Sequence, residues 1–81
     1  MDNKQNIQQH SYTISIDILM DILRILLPNK MRNYVEAINE KQNSVILRIE
    51  TIEGNNRHIL ALRNIEEILE DYGYYTNGIH S

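Results

Sequence analysis

The sequence predicts a small α+β domain, a helix–β-hairpin–helix (α-β-β-α) that dimerisation completes. Three observations carry this. An almost wholly apolar helical stretch runs from Ser15 to Leu27, two β-branched stretches flank a polar break over residues 34–52, and an amphipathic helical pattern follows from about Arg57 to Tyr72. A chain of 81 residues forms one domain, and a domain of this size hides only a modest share of the surface its unfolded chain exposes. The reading divides it into a disordered polar arm (1–10), the domain itself (11–75) and a flexible tail (76–81).

Taken in order, the first ten residues carry no apolar run and read as a polar arm rather than a secretory signal. Tyr12-Thr13-Ile14 forms a short extended lead-in. Ser15 is placed to cap a helix beginning at Ile16, and Asp17 suits the positive end of its dipole. The polar residues Asp17, Asp21 and Arg24 recur at i, i+4 and i+7, one narrow wedge at roughly 100° per residue, and the rest of the circumference is apolar. Pro28 stops the helix, because its ring disfavours helical geometry at the residue before it.

Residues 34–39 and 44–52 then read as a hairpin. The register that sets Glu40 opposite Ser44 leaves Lys41, Gln42 and Asn43 as the loop, with Asn43 left-handed. It sorts Val35, Ala37, Val45, Leu47 and Ile49 to one face and pairs Glu36 with Arg48 on the other. Setting Asn39 opposite Ser44 would instead bring Glu36 against Leu47. Glu53-Gly54-Asn55-Asn56 is a turn in which Asn55 or Asn56 caps the second helix. On that helix His58, Ala61, Leu62, Ile65, Ile68, Leu69 and Tyr72 face inward, and Gly73 follows as a terminator.

Composition narrows the function classes. The absence of cysteine removes disulfides, thiolate nucleophiles and cysteine-ligated zinc, and suits a reducing, cytoplasmic setting. The apolar stretch is shorter than the roughly 20 residues a spanning helix needs, so no membrane insertion is expected. A net charge of −3 sets up no field that would capture nucleic acid by itself.

His10, His58 and His80 make no ligand set, and His58 reads as a structural histidine at the start of the second helix. Asp21 and Arg24 fit a solvated ion pair better than a metal site. Ser15 is explained as a cap, so no nucleophile, base and orienting group come together. Neither catalysis, a cofactor nor a metal is expected. The α-β-β-α order overlaps that of a double-stranded-RNA-binding domain, but the third strand and basic final-helix start are missing, and Glu66-Glu67 would repel phosphate.

What remains is surplus apolar surface. With Leu19, Leu23 and Leu26 facing the core, Ile18, Ile22 and Ile25 occupy another flank of the first helix, and Tyr34, Ile38, Ile46 and Ile52 line the outer sheet face. Leaving such side chains in water forgoes about 1.5–3 kcal/mol each. These seven residues are therefore expected at an interface of a homodimeric, non-catalytic regulatory protein that also binds a further protein. The alternative is a small dimeric nucleic-acid-binding regulator, of the kind common in bacteria, touching phosphates through Lys30, Arg32 and Lys41.

Overall fold

The computed structural model describes residues 6–73, which form β1 (Ile7–Ser15), α1 (Ile16–Leu26), β2 (Asn33–Asn39), β3 (Ser44–Ile52) and α2 (Asn56–Asp71). The class is α+β, two helices on a three-stranded antiparallel sheet. The order is β-α-β-β-α, not α-β-β-α. The extended lead-in is the end of a nine-residue strand, so residues 7–10 of the expected arm belong to the sheet. The tail expected over 76–81 lies outside the described residues.

β3 is the middle strand, antiparallel to both neighbours. Its pairing with β1 is unbroken from Ile7 opposite Ile52 to Ser15 opposite Ser44. Only Tyr12 and Ile14 of β1 bring large apolar side chains into the core. Along the polar half, pairing with β3 is supplemented by side-chain bonds, His10 Nε2 with Thr51 Oγ1 at 3.1 Å and Gln9 Nε2 donating to Glu50 at 3.2 Å.

The hairpin takes the register that sequence pattern disfavoured, with Asn39 opposite Ser44, Ile38 opposite Val45 and Ala37 opposite Ile46. A bulge between Val35 and Ala37 then shifts the pairing by one, setting Val35 opposite Leu47 and Tyr34 opposite Arg48. The extra residue is Glu36, so its carboxylate is never forced against Leu47. It points across the outer face, 3.6 Å from Arg48 Nη1 and accepting from Ser11 Oγ at 2.9 Å. Asn43 is left-handed as expected, with φ 55°.

Ser15 caps α1, its hydroxyl accepting from the Asp17 N–H at 3.2 Å. The other end closes through Lys30 N–H to the Leu27 carbonyl and Met31 N–H to the Leu26 carbonyl, both at 3.1 Å. This is the hydrogen-bond pattern of a helix terminated by a left-handed residue. That residue is Lys30, at φ 56°, where glycine is the relaxed choice. Met31, the next residue, is buried. Asn55 caps α2 by accepting from the His58 N–H at 3.1 Å, and Gly73 follows at φ 86°.

The helices run antiparallel on one face of the sheet. Tyr72 Oη donates to Asp17 at one end (3.2 Å), and His58 Nε2 meets the Asn29 carbonyl at the other (3.1 Å). On α2, Tyr72 reaches α1 whereas Glu66 accepts from Tyr12 of β1 at 2.7 Å. These two positions leave opposite flanks of α2, which sets α1 on the side nearer β2. Between the layers Ile14, Ile22, Leu26, Leu47, Ile49, Ile65 and Leu69 are fully buried.

The Lys30→Gly variant should be more stable by about 0.5–1 kcal/mol, because the left-handed penalty on a β-carbon disappears at a solvent-facing turn. Urea denaturation with an unchanged m-value checks it.

Candidate interaction surface

The apolar circumference of α1 divides into two arcs. Ile18, Ile22 and Leu26 are buried in the chain's own core, with Ile25 packed against it. The other arc is Ile16, Met20 and Leu27, at i, i+4 and i+11 and so within roughly 40° of one another. These are 41, 58 and 69% exposed. Asp17, which bonds Tyr72 on α2, stands on the other side of this arc from Leu23, so the exposed stripe is turned away from α2.

β2, which follows α1 through one turn, also carries uncovered apolar side chains. As an edge strand it has one side unpaired among the described residues, and register places Val35 and Ile38 on the helix side, opposite Leu47 and Val45. The helices do not reach over them. They stay 54 and 67% exposed, beside a row of free backbone donors and acceptors of the kind that recruits another strand. Two elements that are adjacent through one turn thus present five large apolar side chains to water on a single side of the molecule.

The outer sheet face differs from expectation. Arg48 lies over the Tyr34 ring, 4.8 Å from its centroid, and beside Glu36, which also takes the Ser11 hydroxyl. Ile46 is exposed there and Ile52 half-buried, but a polar network spans the three strands between them. Of the seven residues expected at an interface, Ile18 and Ile22 are core, and Ile25 is partly covered by the core. Ile38 is exposed but on the helix side, moved there by the register at the turn. Tyr34, Ile46 and Ile52 lie on the outer face as expected. Ile16, Met20, Leu27 and Val35, all exposed, were not among the seven. The periodicity contains the α1 stripe, but does not say which apolar arc the chain keeps for itself.

The basic residues do not converge. Lys30 and Arg32 precede β2 and Lys41 follows it, so the strand's seven residues hold them about 20 Å apart at roughly 3.3 Å per residue. Lys41 borders a shallow hollow with Ala37, Ile38 and Ile46, whereas Lys30 and Arg32 line a pocket with Ile7, Glu50, Ile52 and His58. Glu66, Glu67 and Glu70 on α2 share a hollow with Arg63. Asp21 and Arg24 are 3.6 Å apart and well exposed, a pair of small energetic consequence. Among the described residues no three His, Asp or Glu side chains are grouped as metal ligands are.

His58 is buried and both its ring nitrogens are engaged within the fold. Nδ1 accepts from the Ile52 N–H at 3.0 Å, so Nε2 carries the proton and donates to the Asn29 carbonyl. The ring ties the end of β3, the start of α2 and the turn after α1 into one unit. No family model, curated protein or solved structure matches this chain.

His58→Phe keeps an aromatic ring at the site and removes both bonds, leaving two backbone groups without partners at roughly 1–3 kcal/mol each. Thermal and urea unfolding should show that loss, and a variant as stable as the parent would contradict the role given to the ring.

Proposed function

We propose that this chain is a non-catalytic interaction module that works as a homodimer, joined through the flank formed by α1 and β2. The observation that carries the reading is the coincidence, on one flank, of the Ile16–Met20–Leu27 stripe with the uncovered Val35 and Ile38 and an unpaired strand edge. A small domain gains from hiding such a surface, since each large side chain contributes about 1.5–3 kcal/mol on full burial. A second copy is the simplest occupant. It brings the same apolar side chains and the same open edge, and a two-fold contact buries both copies of the patch against each other. The flank's five apolar side chains carry no charge that a like copy would repel. A regulatory or adaptor role follows from such a module by presenting its remaining surfaces in pairs.

Sedimentation equilibrium over a wide concentration range tests this. The parent chain should approach twice the monomer mass of 9.6 kDa, and Met20→Glu or Ile38→Glu should return it to the monomer. Both positions are exposed within one copy, so neither change should lower monomer stability by more than about 0.5 kcal/mol. Ile22→Glu should instead unfold the chain, because it places a charge in the core. A parent that stays monomeric at the highest concentrations, or a Met20→Glu variant that still dimerises, would overturn the reading.

A further inference from the structure

The pocket beside the turn that follows α1 stands apart from the apolar flank. Its volume is about 220 Å³ and its walls are Ile7, Lys30, Arg32, Glu50, Ile52 and His58. That is below the 300–1,000 Å³ of sites for drug-sized ligands, so it suits a small metabolite.

Three features indicate a binding role. Among the described residues the ion pairs are Arg24–Asp21 and Arg48–Glu36, so neither Lys30 nor Arg32 is neutralised by the carboxylate that shares its pocket. Glu50 instead accepts from Gln9 through one oxygen at 3.2 Å, leaving the other for a donor. Second, Lys30 adopts φ 56° at a helix terminus that glycine would occupy without strain. A strained backbone under a charged side chain at a cavity wall is a recurrent mark of a working site. Third, the walls are held in place. The His58 ring bonds the Asn29 carbonyl next to Lys30 and the Ile52 N–H, and the Arg32 carbonyl accepts from the Glu50 N–H at 2.9 Å. Both cations therefore rise from backbone fixed to β3 or α2 before any ligand arrives.

We infer that this pocket binds a small α-amino or α-hydroxy acid with an apolar side chain. Its carboxylate lies between Lys30 and Arg32, its ammonium or hydroxyl donates to Glu50, and its side chain packs on Ile7 and Ile52. Each group answers a wall residue of matching chemistry. Arginine pairs with a planar carboxylate through two parallel hydrogen bonds, and Glu50 opposes a dianion such as phosphate while rewarding a donor on the α carbon. His58 has both nitrogens occupied and serves as a wall.

Titration of the isotopically labelled full chain with L-leucine, followed by amide chemical shifts, tests the assignment. Saturable shifts should concentrate at residues 30–32 and 50–52. The same titration with 4-methylpentanoate, which lacks the donor, should be at least about fivefold weaker, and inorganic phosphate weaker still. Arg32→Gln and Lys30→Gly should each weaken leucine binding about tenfold or more. The glycine variant cannot be dismissed as misfolded, because it relieves strain. Absence of saturable shifts, phosphate binding as tightly as leucine, or unchanged affinity in both variants would overturn the proposal.

Discussion

The molecule depends on β3 being paired along both edges. Its nine residues hold β1 on one side and β2 on the other, and Val45, Leu47 and Ile49 on its helix side are all buried. These side chains form the floor on which α1 and α2 rest. The two antiparallel helices are seated over β1 and β3 and leave the helix side of β2 open. The exposure of Val35 and Ile38 follows from that placement: two helices side by side are wide enough for three strands, and they leave β2 bare because they sit displaced toward β1.

The same displacement explains how α1 can be apolar around most of its circumference. It is the outer of the two helices, bounded by α2 on one side and the sheet below, with β2 extending beyond it. One apolar arc meets the sheet and α2, and the neighbouring arc overlooks the uncovered strand. The polar wedge completes the circle, where Asp17 takes the Tyr72 hydroxyl and Asp21 pairs with Arg24. An ordinary amphipathic helix needs one stripe. α1 needs one for its own core and carries a second.

Much of this was legible in the residues themselves. Ser15 and Asn55 as caps, Asn43 as the left-handed turn residue and the inward face of α2 all follow from local chemistry, which sequence displays directly. β1 was not legible because Gln8, Gln9, His10 and Ser11 lack the alternation that marks a half-buried strand. These residues are strand because β3 offers them a ladder, a contact more than thirty residues away in the chain. The bulge at Glu36 was hidden for a related reason. Left unbroken, the register with Asn39 opposite Ser44 would set Glu36 against Leu47, and one extra residue resolves this while moving Ile38 to the opposite face. Face assignment in a strand has period two, so a single insertion reverses every assignment on one side of it. The interface residues chosen from sequence on α1 failed at the same level: periodicity locates arcs, and only tertiary packing decides which arc the fold consumes.

The turn between α1 and β2 joins the two surfaces to which function is assigned. It begins at Leu27, the last residue of the exposed α1 stripe, passes through Lys30 and Arg32 on the pocket wall, and enters β2 two residues before Val35. Met31 anchors its middle in the core, and His58 and the Glu50 N–H fix its flanks. The anchored points leave Lys30 as the strained position of a turn that is otherwise held on both sides.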